Sequence, residues 1–148
     1  MIDHFRGKYD FLSNFYPSDV EMDGVTYPTV EHAYQAAKSP DHEKRMKIAQ
    51  IATPKGAKAA GRRIKQPDNW FEINLDLMHD LVQQKFTRHP DLRDKLLATG
   101  DAKLIEGNTW NDRFFGMVRD KKTGEWVGEN HLGQILMAVR ADLQTEEG

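Results

Sequence analysis

The stretch Val20-Glu21-Met22-Asp23-Gly24-Val25-Thr26-Tyr27-Pro28-Thr29-Val30-Glu31-His32-Ala33-Tyr34-Gln35-Ala36-Ala37-Lys38-Ser39-Pro40 reads as a tight hairpin that leads straight into a short helix. Val20 to Met22 and Val25 to Tyr27 flank Asp23-Gly24, a pair whose backbones tolerate positive φ, so the chain reverses there. Pro28 ends the second strand and Thr29 offers a side-chain oxygen to cap a helix from Val30 to Lys38. Ser39-Pro40 stops it, because a proline disfavours helical geometry in the residue before it.

On this helix Glu31, Gln35 and Lys38 share one stripe, since residues three, four and seven apart lie on a common face. An acid and an amine therefore face the same space. The plain alternative is a solvated face laced with surface ion pairs. Ala33, Ala36 and Ala37 line the opposite side and allow close packing behind the stripe, which favours a preorganised pair of the kind catalysis requires. His32 lies off the stripe, with no second histidine at ligand spacing in the helix, and reads as a structural or rim residue.

Outward from this segment the middle of the chain is helical. Helices are expected at Asp41 to Ala52, at Pro54 to Arg63 behind a Thr53 cap, and at about Phe71 to Arg88. In the last of these Ile73, Leu77, Leu81 and Val82, with Met78 and Phe86 beside them, form a core-facing stripe. A shorter helix from Pro90 to Ala98 ends at Gly100. From Lys103 to Val127 the texture turns to Trp, Phe, Gly and Asn, with Phe114 to Val118 and Glu125 to Val127 as strands around Lys122-Thr123-Gly124. A final helix after Asn130 turns Leu132, Ile135, Leu136 and Val139 inward, and Gln144 to Gly148 read as a frayed tail.

A length of 148 residues fits one domain, so the expectation is a single helix-dominated α+β domain over 1–148 with a short N-terminal hairpin and a small C-terminal β element. No apolar run is long enough to span a bilayer and Met1 to Arg6 do not resemble a signal peptide, which points to the cytoplasm. The absence of cysteine removes thiolate catalysis, disulfides and cysteine-held metals, so the chemistry falls to oxygen and nitrogen groups. The six histidines are scattered, and neither a catalytic metal nor a cofactor is expected. Phosphate-binding glycine loops and the Gly-x-Ser-x-Gly elbow are missing too, since Gly56 to Gly61 falls inside a helix. A net charge of -2 favours a nucleotide-sized ligand over a long duplex interface.

Two further clusters can contact a ligand. Ser13, Asn14 and Phe15 stand between Leu12 and Tyr16-Pro17, where short hydrogen-bonding side chains among aromatics can stack a base or ribose and bond its edge. Asn108 to Gly116 places Trp110, Asp112, Phe115 and Gly116 in an aromatic loop of the kind that lines pockets. In both, packing of the core is the competing explanation.

The ordered set Leu12-Ser13-Asn14-Phe15, Pro28 to Lys38 with its Glu-His-x-Tyr-Gln-x-x-Lys element, Gly61-Arg62, and Gly128 to Arg140 with Asn130 and Leu132-Gly133 resembles the YbiA-like family, also called NADAR. The resemblance spans nearly the whole chain. It implies a helix-dominated α+β fold and cleavage of an N-glycosidic bond between ribose and a base or amine. Removal of ADP-ribose from modified guanine, free or in DNA or RNA, is the first expectation, and hydrolysis of early riboflavin-biosynthesis intermediates the second. The rival from another class is a non-catalytic reader of ADP-ribose or nucleic acid. One departure stands out: where the family has aspartate followed by Trp-Gly, this chain has Asp112-Arg113-Phe114-Phe115-Gly116, which keeps a ring and loses the indole donor and so bears on base preference.

Given such a reaction, Glu31 and Asp112 are the expected anion and acid, and Lys38 either attacks the anomeric carbon to form a Schiff base or stays charged and binds phosphate or a hydroxyl. Ser13, Asn14, Phe15, Tyr34, Gln35, Arg62, Trp110, Phe115, Gly116 and Asn130 are expected to bind substrate, Arg62 through phosphate, which suits a guanidinium fork. Burial would lower the pKa of Lys38 and the Glu31 carboxylate would raise it, a competition whose sign the sequence leaves open.

Overall fold

In the computed structural model Val20–Met22 (β1) and Val25–Tyr27 (β2) pair antiparallel with Val20 opposite Tyr27 and Met22 opposite Val25. Asp23 at φ 51° and Gly24 at φ 82° make the two-residue turn between them, the left-handed pair that matches the twist of a hairpin. The free edge of β1 is covered by one side chain: the Gln84 amide accepts from the Glu21 N–H and donates to the Glu21 carbonyl at 2.9 Å. The structure describes residues 1–147. By contacts the chain divides into two compact units, Asn14–His89 and Met1–Ser13 with the chain from Pro90 onward.

In the unit Asn14–His89 the central element is α1, Val30–Ala36, whose seven residues are all buried. Thr29 caps it, its hydroxyl accepting from the His32 N–H at 3.1 Å. The helix packs against α2 (His42–Ala49), α3 (Pro54–Gly61) and α4 (Trp70–Arg88). It ends two residues before the expected Lys38: the Lys38 and Ser39 N–H groups bond the Gln35 and Ala36 carbonyls at 3.2 and 3.1 Å, a tightened last turn ahead of Pro40. Asp41 and Thr53 cap α2 and α3, which end at Ala49 and Gly61, short of the expected Ala52 and Arg63.

The buried stripe of α4 differs from the apolar pattern. Trp70, Asn74, Met78, Leu81, Val82, Lys85 and Phe86 are buried, whereas Ile73 is 40% exposed and Leu77 only half-buried. Hydrophobic spacing assigns polar residues to the outside, but the partner of this face includes the Tyr34 hydroxyl, to which Asn74 Nδ2 donates at 3.4 Å.

The other unit begins with a 3₁₀ helix, Gly7–Leu12. Ile2 forms a parallel bridge with Leu104 and Gly107 one with Met117, neither of them foreseen. Val118–Arg119 (β3) and Trp126–Val127 (β4) pair antiparallel, so the expected strand at Phe114 to Val118 is displaced towards Arg119. Its first residues are instead held in a loop by their backbone groups, Phe114 and Phe115 donating to Asp112 Oδ1 at 3.0 Å. Helices α5 (Pro90–Ala98) and α6 (His131–Glu147) pack on each other through Leu92, Leu96, Leu136 and neighbouring apolar residues. The residues expected to fray are helical through Glu147, with the Gln144 side chain donating to the Gly100 carbonyl at 3.0 Å; Gly148 lies outside the described residues. Among the described residues no helix is long and apolar enough to cross a membrane.

Candidate active site

Glu31, Gln35 and Lys38 do lie together, and they are inside the protein: their exposures are 7%, 5% and 8%. This excludes the solvated ion-pair face, since a surface stripe would leave these side chains in water. Gln35 Nε2 donates to Glu31 Oε1 at 2.9 Å in a buried bond. Glu31 is fixed at its backbone as well, its N–H donating to the Asn14 carbonyl at 3.1 Å.

Lys38 sits at the end of this row against an aromatic wall. Its Nζ lies 5.9 Å from the Tyr34 ring centroid and 6.0 Å from that of Trp70, and the two rings are themselves 5.2 Å apart. Burial pushes the Lys38 amine below its ordinary value of 10.5; the Glu31 carboxylate opposes that shift, and the Arg62 and Lys58 cations add to it. Of the two opposed effects, burial is the larger, and the pKa of the amine is lowered. A lowered pKa makes the free amine, the form of a lysine that can act as a nucleophile, easier to reach.

His32 belongs to the scaffold. Its Nε2 bonds the Ile51 carbonyl at 2.9 Å and must donate there, so Nδ1, 2.8 Å from the Thr29 hydroxyl, accepts. Burial lowers its pKa, in keeping with this neutral form, while the bond to Ile51 opposes the shift. The imidazole therefore ties the start of α1 to the loop before α3.

The remaining expected residues divide between the units. In Asn14–His89, Asn14 Nδ2 lies 3.4 Å from Met78 Sδ, Phe15 is 39% exposed, and Arg62 is exposed at the end of α3. In the other unit, Asp112, Phe115, Gly116 and Asn130 form a connected loop. Asp112 Oδ1 accepts from two backbone N–H groups, Asn130 donates its N–H to the Gly116 carbonyl at 3.2 Å, and Leu132 donates to that of Phe115 at 3.0 Å. The Asn130 side chain also spans Leu104 and Glu106, bonding a carbonyl and an N–H at 3.0 Å each. Ser13 closes the 3₁₀ helix through an N–H bond to Asp10, and Trp110 is 61% exposed. Trp70, Asn74 and Lys58 surround the lysine row without having been singled out. The one available signal was their place around α1, because Trp70 and Asn74 sit one turn apart where a helix follows the Pro67 loop.

The model of the NADAR domain matches residues 3–144. The chain belongs to the NADAR family. Relatives include N-glycosidase YbiA of Escherichia coli, 37% identical over 141 residues that cover 94% of this chain and 84% of that protein. An N-glycosidase of Nostoc punctiforme is also 37% identical, over 92% of this chain and 86% of its own. A riboflavin biosynthesis protein of Vibrio vulnificus is 36% identical over 92% of this chain, though over only 36% of that longer protein. The solution structure of E. coli YbiA superposes with a TM-score of 0.78 at 36% identity, covering 99% of this chain and 89% of that one. The helix-rich α+β fold is therefore that of the NADAR family, and Glu31, Tyr34, Gln35 and Lys38, all buried, fall within the matched residues.

Proposed function

We propose that this NADAR protein is an N-glycosidase that separates ribose from a base or amine, and that its substrate is guanine carrying ADP-ribose. The observation that carries the reading is the buried row of Glu31 and Lys38, with the lysine pushed towards its neutral form beside a fixed carboxylate. The names of the E. coli and Nostoc relatives support the same class of reaction.

In this mechanism neutral Lys38 Nζ adds to the anomeric carbon while the bond from that carbon to nitrogen breaks, its electron pair leaving with the base. The base takes up a proton, and the attacking nitrogen loses one, with Glu31 able to accept it; positive charge that builds on the sugar in between is offset by the Glu31 carboxylate. Ring opening then gives a Schiff base between Lys38 and the sugar, and water adds to its carbon, releasing the sugar and restoring the amine. The net consumption is one water. Asp112 is assigned to protonation of the departing group.

A phosphate-rich substrate is supported by charge. From Lys44 to Lys65 the chain carries Lys44, Arg45, Lys47, Lys55, Lys58, Arg62, Arg63 and Lys65 and no acidic residue, although the protein as a whole is at -2. Two of these cations, Arg62 and Lys58, act on the Lys38 amine, and Arg62 suits a pyrophosphate. A second reading, early riboflavin intermediates as substrates, is favoured by the name of the Vibrio vulnificus relative.

The test is to incubate the protein with ADP-ribosylated guanosine and, separately, with the early riboflavin intermediates, following release by mass spectrometry. Release of ADP-ribose, lost in Glu31→Gln and Lys38→Ala, is expected. Release from the riboflavin intermediates alone would transfer the activity to the second reading. Binding without release from any substrate would make the protein a reader.

A further inference from the structure

Gly61 ends α3 where that helix meets α1. A Cβ placed on it would fall inside the Gln35 side chain, 2.6 Å from Cδ and 2.9 Å from Cβ, and closer still to Oε1. The flexible end of Gln35 could swing aside, but its own Cβ could not, so a side chain at position 61 would also push the two helices apart. Gln35 lies flat on this glycine because there is nothing there.

The consequence lies at the other end of the amide. Gln35 Nε2 donates to Glu31 Oε1, while Gln35 Oε1 is buried with no hydrogen-bond partner among the described residues. Leaving an amide oxygen buried and unsatisfied costs on the order of 1–3 kcal/mol. Turning the amide over would direct that oxygen at the Glu31 carboxylate, acceptor against acceptor, and would lose the charge-assisted bond. The orientation is thus set by Glu31, and the space it needs is set by Gly61.

We propose that Gly61 is a positioning residue for the reaction: by leaving room for the extended Gln35 side chain, it fixes the direction of the Glu31 carboxylate towards the anomeric centre. The inference rests on the proposed role of Glu31. It identifies Gly61 as acting only through Gln35, which a general packing role would not require. A small error in the placement of a catalytic group costs about 10- to 100-fold in rate.

The experiment is a double-mutant cycle of Gly61→Ala and Gln35→Ala, read by turnover of ADP-ribosylated guanosine and by the side-chain amide resonance of Gln35 in a nitrogen–proton NMR spectrum. Gly61→Ala is expected to lower kcat about 10- to 100-fold with KM little changed, and to shift the Gln35 amide resonance in the same sense as Glu31→Gln does. In the Gln35→Ala background, Gly61→Ala is expected to cost far less in kcat, because the amide it collides with is gone and only the 2.9 Å contact with Cβ remains. That double variant relieves the collision with the amide, the severest part of the clash, so it keeps the comparison open if Gly61→Ala alone does not fold. Effects on kcat that multiply, or a Gln35 amide resonance unmoved by Gly61→Ala, would overturn the proposal. If the wild-type protein turns over no ribosylated substrate, the catalytic reading fails by itself, and the NMR comparison still decides whether Gly61 controls the bond from Gln35 to Glu31.

Discussion

Lys38 carries its Nζ 6.0 Å from the ring centroid of Trp70, a side chain only 2% exposed, so the amine is walled from solvent by an indole on the neighbouring helix. Burial holds its pKa below the ordinary 10.5, against the pull of Glu31. If Lys38 attacks as the free amine, kcat should rise with pH along a limb lying below the ordinary lysine range, and Lys38→Arg should abolish it, since a guanidinium does not deprotonate. Stability should respond in the same window. Between the lowered native value and 10.5 the unfolded chain binds the proton and the native one does not, so stability rises with pH there. Urea midpoints across the alkaline range should show this rise in the wild type and a flatter profile in Lys38→Met.

The covalent step has its own readout. Borohydride added during turnover should reduce the Schiff base and leave the sugar attached to a peptide containing Lys38. Lys38→Arg should give no adduct. An active enzyme that yields no adduct under these conditions would leave Lys38 as a charged binding group and place the attack on water.

Thr29 and His32 hold the start of α1, and their replacement should act on stability more than on binding. Thr29→Val removes the helix cap and the hydroxyl opposite His32 Nδ1, at a cost of about 2 kcal/mol or more. His32 adds a pH dependence. Its native pKa lies below 6.5, so its contribution is present above pH 6.5 and is lost as pH falls through the native value, where the buried ring must charge. Thermal melts in mildly acidic buffer should show this loss in the wild type and a smaller one in His32→Gln.

The parts of this protein legible in its sequence are those fixed by local chemistry. Asp23-Gly24 needs positive φ, Thr29 and Thr53 each cap the helix that follows, and Glu31, Gln35 and Lys38 share a face by spacing alone. What escaped reading depends on partners far along the chain. Asn74 and Lys85 lie on the buried side of α4 while Ile73 is 40% exposed, and their neighbours there, the Tyr34 hydroxyl for Asn74 and the Tyr16 ring for Lys85, are not revealed by any periodicity. The parallel bridge of Ile2 with Leu104 joins residues about a hundred positions apart, beyond any local signal. That Gly61 makes way for Gln35 needed the distance between two helices, though the glycine itself was visible as part of the family pattern.

Asn130 combines a strained backbone with two committed side-chain atoms. Its φ is 53°, and its amide bonds the Leu104 carbonyl and the Glu106 N–H. Asn130→Ala loses both bonds and keeps a Cβ in left-handed geometry without the polar side chain that makes it tolerable, for a loss of about 3 kcal/mol. Asn130→Gly should recover about 1 kcal/mol of that, since only the bonds are lost and not the backbone fit. Equal denaturation midpoints for the two variants would show that the backbone geometry contributes nothing.

Asp112 has a loop to hold and an assigned proton to deliver, and one pair of substitutions separates the two. Its Oδ1 accepts from the Phe114 and Phe115 N–H groups at 3.0 Å, a task that the side-chain carbonyl introduced by Asp112→Asn can perform equally well. Asp112→Asn should therefore keep a thermal midpoint near that of the wild type while kcat falls about 100-fold, because an amide cannot act as the acid. Asp112→Ala should lose the midpoint as well, having no oxygen for the two N–H groups. If Asp112→Asn turns over substrate at the wild-type rate, the carboxyl serves only the loop, and Glu31, which takes a proton from the attacking Lys38, becomes the group that relays one to the departing base.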